Sequence, residues 1–282
     1  MHGIAEFAMR SRLHAIAISL LAAAIPPLAW LSTIIVALVC LRHGVVTGSM
    51  LVLWTILPMG GWIYLSGDPS VLLTLVSTAG LALLLRKTLS WEVVLLASLV
   101  FSAISAGLFE WLAPGVIERL IQIYMEYLQQ LDASMQVSAE EAQAVLIGFF
   151  ALGQALAMMV LLIIARWCQS GLYNPGGFKK EFHQLRLSPG FAAVIVAMMM
   201  LCFVFNEVLG RWLLLLTVPL LFSGLSFVHW FMAEKKLSKS WAIVFYVTLL
   251  FLFQLVYPLL ASIALMDSWF NLRNRIQTSQ KD

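Results

Sequence analysis

Long apolar stretches separated by short polar ones set the pattern of this chain. The runs 44–65, 71–85, 91–112, 142–165, 189–208 and 211–233 each read as one membrane helix, since crossing the hydrocarbon layer takes ~20 apolar residues (range ~17–25). Two further runs, 14–41 and 241–268, are long for one helix and short for two. Each carries proline near its middle, Pro26-Pro27 in the first and Pro258 in the second. Proline lacks the amide donor and clashes with the preceding turn. Each of these runs is therefore predicted to be a tight hairpin of two short segments, turning at its prolines.

Basic residues beside membrane helices stay on the cytoplasmic side. If 14–41 were a single span starting inside, Arg42, Arg86-Lys87 and the basic loop 166–186 would all fall outside. With hairpins at both ends of the chain, all of the 17 Lys and Arg residues except Arg119 and Arg211 lie inside. The predicted fold is thus an all-α, polytopic transmembrane helix bundle of ten membrane segments with both termini cytoplasmic. Eight spans, with long bent helices in the terminal runs, is the alternative. The whole of 1–282 reads as one integral membrane domain, and its first apolar run as a retained span, since it continues past the length of a cleavable signal.

Composition agrees. Hydrophobic residues make up 62% of the chain, charged residues 11%, and the mean hydropathy is +0.94. A soluble domain is roughly 45–50% apolar and about 25% charged. A net charge of +3 is too small to imply a nucleic-acid partner. Cys40, Cys168 and Cys202 lie in or beside apolar runs without metal-type spacing, so buried free thiols are expected.

Two polar segments stand out. In 113–138, Ile117, Leu120, Ile121, Tyr124, Tyr127, Leu128 and Leu131 recur at helical spacing among Glu, Arg and Gln. This predicts an outer amphipathic helix, starting after Pro114-Gly115 and ending near Ser134, that packs as a connector or lids a pocket. Ser138 with Glu141 predicts an N-cap for the next span. The segment 166–188 reads as a cytoplasmic basic elbow. Asn174, Gly176 and Gly177 supply turn chemistry. Phe178 and Phe182 then share a helical face, and Lys179, Lys180 and Arg186 take the others. Such an elbow suits anionic lipid headgroups or a membrane or cytosolic protein partner. Gly176-Gly177 before two lysines lacks the spacing of a phosphate loop.

Polar groups at depth are costly and so are candidates for function. Gln154 lies mid-span. Glu110 and Glu207 lie near outer span ends, where Arg211 is placed to pair with Glu207, and Trp111 adjoins Glu110. Gln154, Glu110, Glu207 and Trp111 form the candidate set for a small-molecule ligand in an outward-facing cavity. Small-residue rows at Ala15/Ser19/Ala23, Ala103/Gly107, Ala151/Ala155 and Gly153/Ala157 suit close helix packing. No motif of hydrolase, protease or metal chemistry is present, so neither an enzyme, a cofactor nor a metal site is expected.

Asn174-Pro-Gly-Gly-Phe-x-x-Glu-Phe-x-x-Leu-Arg186-Leu and the closing Asp267-Ser-Trp269-Phe-x-x-Arg273 resemble the YybS-like family of bacterial membrane proteins, whose domain has no known function. That family is remotely similar to the S components of energy-coupling-factor transporters and to the cell-shape protein MreD. The resemblance implies a bacterial inner-membrane location and singles out Asp267, Trp269 and Arg273 as a C-terminal motif. Two functions follow as expectations. One is a transport-type, solute-binding membrane protein like the S components. The other is a non-catalytic scaffold in envelope assembly that docks a partner through the 174–188 elbow.

Overall fold

The structure, a computed structural model, describes residues 2–131 and 137–278. Those residues form helices and the turns between them, with no strand. Seven helical stretches are long and apolar enough to span a membrane: Pro26–His43, Val45–Ser66, Ser70–Thr88, Trp91–Leu112, Ala139–Tyr173, Asn206–Glu234 and Phe253–Phe270. An eighth results if Gly177–Gln184 and Pro189–Val204, bent by 60°, count as one. These helices are what a multi-pass membrane protein requires. The expected ten segments are not reached. The outer arms of the two terminal runs, Arg12–Ala24 and Lys239–Phe251, have 13 residues each, about 20 Å of helix against a ~30 Å hydrocarbon core.

Where one membrane domain was expected, the helices gather into two compact units, Met1–Pro175 and Gly176–Asp282. The first contains α1 (His2–Met9), α2 (Arg12–Ala24), α3 (Ala29–His43), α4 (Val45–Ser66), α5 (Ser70–Thr88), α6 (Trp91–Leu112), α7 (Pro114–Leu131) and α8 (Ala139–Tyr173). Its centre is α3, buried without interruption from Ser32 to Leu41 and packed by α2, α4, α5 and α8. An all-apolar helix with no polar face belongs in such a position. Pro26 and Pro27 form a 3₁₀ turn that folds α2 back onto α3, at the expected break.

Helix α7 carries the predicted amphipathic pattern, ending at Leu131 within the described residues; Ser134 lies outside them. Ser138 caps α8 as anticipated, accepting from Glu141 N–H while the Glu141 carboxylate accepts from Ser138 N–H. With 35 residues, α8 is about 52 Å long. It includes 166–173, which were expected to open the elbow.

The second unit contains α9 (Gly177–Gln184), α10 (Pro189–Val204), α11 (Asn206–Leu209), α12 (Leu213–Leu216), α13 (Val218–Glu234), α14 (Lys239–Phe251), α15 (Phe253–Phe270) and α16 (Leu272–Thr278). Pro258 does not turn the chain. It lies inside α15, and the break falls at Leu252 (φ −114°, ψ 37°). As the sixth residue of α15, Pro258 removes only the bond to the Gln254 carbonyl, a local loss that a helix near its start can absorb.

Glycine sets the closest helix approaches, at places the small-residue rows do not name. A Cβ on Gly224 would lie 2.4 Å from the Leu260 carbonyl oxygen, where α13 meets α15. By contrast, Gly107 and Gly153 face open space, so their rows are not packing seams. Ala151, Ala155 and the Ala15/Ser19/Ala23 row are buried. Gly224→Ala is expected to destabilise the second unit by about 1–3 kcal/mol, since backbone must give way, whereas Gly153→Ala should be neutral. Thermal unfolding of both variants in detergent checks this.

Candidate functional site

The expected ligand set does not assemble around Gln154. Gln154 is buried on α8, and its amide N–H donates to the Ser70 carbonyl at 3.2 Å. Its Oε1 lies 2.9 Å from the Thr74 hydroxyl. These bonds join α8 to α5 and satisfy the amide in a medium without water. Glu110 accepts from Gln143 Nε2 at 2.6 Å. Gln143 lies three turns before Gln154, about 16 Å along the helix axis. Glu110 and Gln154 therefore act at different levels of α8. Trp111 is 76% exposed and walls no pocket with them. Glu207 is an exposed residue of α11 in the second unit. There Arg211 lies over the Trp212 ring, 5.1 Å from its centroid, in place of the anticipated pairing with Glu207.

The elbow and the C-terminal motif do come together. Asn271, at the end of α15, adopts a left-handed conformation (φ 50°) that asparagine tolerates. The chain reverses there, and α16 carries Arg273 back to Asp267. Both side chains are buried, and Arg273 Nε donates to Asp267 Oδ2 at 2.9 Å.

The rest of the guanidinium reaches the end of α9. Nη2 donates to the Leu185 carbonyl at 2.8 Å, Nη1 to that of His183, and Nη2 also approaches Ser226 Oγ at 3.3 Å. Ser226 Oγ, from α13, lies 2.6 Å from the Phe182 carbonyl and 2.8 Å from that of Leu185. Ser268 Oγ donates to the Leu187 carbonyl at 2.8 Å, and Arg186 Nη2 donates to the Ser268 carbonyl at 2.9 Å. The terminal carbonyls of α9 lack intrahelical partners and carry the negative end of its dipole. A cation anchored by Asp267 meets both needs. Phe227 and Trp230 flank Arg273, each ring centroid 5.8 Å from Cζ. Burial pulls the Arg273 pKa down, and the Asp267 carboxylate opposes that shift.

The network divides the elbow residues by role. Arg186 is half-buried and engaged with α15, not offered to a partner. Lys179 and Lys180 are exposed. Phe178 and Phe182 stack at 5.7 Å, and Phe182 meets the His229 ring of α13 edge-on at 5.6 Å. Gly176 takes a left-handed conformation (φ +82°) at the turn before Gly177, the first residue of α9, and Asn174 terminates α8. Trp269 is partly exposed and has no place in the network. Sequence reasoning missed Ser226, Ser268 and Asn271. Asparagine just past an apolar run is a helix-stop signal; nothing marked Ser226.

The first unit also holds two cavities that the sequence reading did not anticipate. One, of about 260 Å³, lies where the Pro26 turn meets the end of α4 and the start of α5. Ala23, Pro26, Ala29, Met59 and Trp62 wall it, and Asp68 is at its edge. Trp62 is held by its indole N–H, which donates to the Ala24 carbonyl at 3.1 Å. Asp68 Oδ1 accepts from Ser70 N–H at 2.8 Å. The other cavity, of about 160 Å³, lies at the opposite end of α2. Among the described residues, no three His, Cys, Asp or Glu side chains gather as metal ligands would.

No protein-family model, curated protein or solved structure matches this chain.

Losing one partner of a buried ion pair leaves the other charged and unpaired, at a cost of about 3–5 kcal/mol. Asp267→Asn and Arg273→Ala are each expected to destabilise the second unit by that order and to free the elbow. Limited trypsinolysis should then cut faster after Lys179 and Lys180. The double variant should cost less than the sum of the two, which unfolding measurements on all three proteins would show.

Proposed function

We propose that this chain is a bacterial inner-membrane protein of transport type that holds a small, largely apolar solute in its first helical unit. The cavity beside Trp62 carries the reading. Its volume of about 260 Å³ exceeds the roughly 150 Å³ that takes up benzene in an apolar protein cavity. One fixed aromatic wall, aliphatic neighbours and a single carboxylate at the edge match the usual composition of small-molecule sites. The free lone pairs of Asp68 suit a solute with one donor group, such as a hydroxyl or an amine. The Ala15/Ser19/Ala23 row runs from this cavity toward the other end of α2, and its Ser19 hydroxyl is buried without a hydrogen-bond partner. The resemblance of the elbow and C-terminal motifs to the YybS-like family, and more remotely to S components, points the same way. The reading includes both termini in the cytoplasm, from the distribution of basic residues, and assigns the chain no catalytic step.

A second reading has its own support. The elbow is fixed by a buried ion pair while Lys179 and Lys180 stay exposed, as a scaffold docking an acidic partner from the cytosol would require. Native mass spectrometry of the gently purified protein separates the two. Solute binding predicts a bound small mass that Ala29→Phe, which fills the cavity, removes without unfolding the protein. The Lys179→Ala/Lys180→Ala variant should keep that mass. A protein complex lost only in the lysine variant, with no small mass at any stage, would favour the scaffold and overturn the first reading.

A further inference from the structure

We propose that the smaller cavity of the first unit binds an anionic amphiphile, its charged head between Arg10, Arg12 and His43 and its alkyl chain against Ile16, Met50 and Leu51. The site is distinct from the cavity beside Trp62 and does not depend on that reading. The cavity of about 160 Å³ lies where the turn between α1 and α2 meets the end of α3 and the start of α4. Its lining is divided by character, with Arg10, Ser11, Arg12 and His43 on the polar side and Ala15, Ile16, Val39, Met50 and Leu51 on the apolar side.

The charge there is unbalanced. Arg42 and Arg86 also stand near His43, but both are committed. Arg86 Nη1 donates to the Leu41 carbonyl at 2.8 Å and to that of Arg42, closing the end of α3. Arg42 lies over the Tyr173 ring, 4.1 Å from its centroid. The carboxylate at the site is that of Glu6, 3.4 Å from Arg10 in a solvent-exposed pair one helical turn apart. Such a pair is weakly held, so Arg10 is free to exchange Glu6 for a ligand. The Arg12 and His43 side chains have neither a hydrogen bond nor an ion-pair partner among the described residues. Ser11 Oγ accepts from His14 N–H and sits 2.6 Å from His14 Nδ1, which orders the turn carrying Arg10 and Arg12.

The surface beside the site is apolar. Leu13 is exposed, as are Val45 and Val46 at the start of α4 and Met50 on the cavity wall. A cluster of cations open to an apolar wall and an apolar surface selects a molecule that is anionic at one end and aliphatic at the other. A membrane phospholipid and a free long-chain carboxylate share that chemistry. A bare inorganic anion lacks the tail, and a zwitterionic lipid carries a second, repelled charge.

The test is a titration of the full chain, delipidated in maltoside detergent, by native mass spectrometry. The probes are dioctanoyl phosphatidylglycerol, dodecanoate, dioctanoyl phosphatidylcholine and inorganic phosphate. One anionic amphiphile per chain is expected to bind. Affinity should fall about fivefold in Arg12→Gln and about 25-fold in Arg10→Gln/Arg12→Gln. Met50→Trp, which fills the apolar half and leaves the arginines intact, should also lose binding. Preference for phosphatidylglycerol assigns the site to a lipid, and preference for dodecanoate to a free acid. The proposal is overturned by equal binding of phosphatidylcholine, by phosphate binding as tightly as either anionic amphiphile, or by unchanged affinity in the arginine variants with Met50→Trp.

Discussion

A hydrocarbon layer offers no hydrogen bonds, so every polar group inside it must find a partner within the protein. In this chain that constraint accounts for the all-helical backbone and for where the helices touch. In the first unit, Gln154 bridges to Ser70 and Thr74, the Ser102 hydroxyl donates to the Ala151 carbonyl, and Ser77 meets Ser105 at 3.2 Å. These contacts join α5, α6 and α8. Each is worth little alone, about 0.6 kcal/mol on average in a membrane. Their larger effect is on rotation, since a helix turned the wrong way would leave them unpaired.

In the second unit the same constraint acts on full charges and on the end of a helix. Asp267 and Arg273 are buried together, and the guanidinium spends its remaining donors on the carbonyls where α9 ends. An ion pair of this kind is a weak source of stability relative to apolar packing, yet removing half of it is expensive. Its consequence here is positional. It fixes the elbow against α13 and α15, which share the tightest helix approach of the unit, at Gly224. Lys179 and Lys180 are thereby presented from a rigid base, while Arg186 is withdrawn into the fold.

Where polar or apolar groups are left incompletely paired, the first unit has space. Both cavities border α2, a helix too short to cross the membrane alone. Its small-residue row packs against neighbouring helices without filling the ends of the seam. The shortness of α2 and the cavities at its two ends are aspects of one arrangement.

Much of this was legible in the sequence because it rests on periodicity and local chemistry. The bounds of α4 and α6, the amphipathic pattern of α7, the Ser138 cap and the turn at Pro26-Pro27 follow from apolar run length and residue type alone. The elbow and the Asp267…Arg273 segment were recognisable as motifs. That they form one network was not, because the two lie about 80 residues apart in the chain and are joined by Ser226, a residue with no distinguishing context. Gln154 stood out from the sequence as an isolated polar group, but its partners on α5 depend on helix rotation, which apolar run length does not encode. Pro258 looked like a turn since proline weakens a helix, yet where a chain breaks depends on what packs around it. The cavities, likewise, are differences between facing surfaces, and no single stretch of sequence contains both sides.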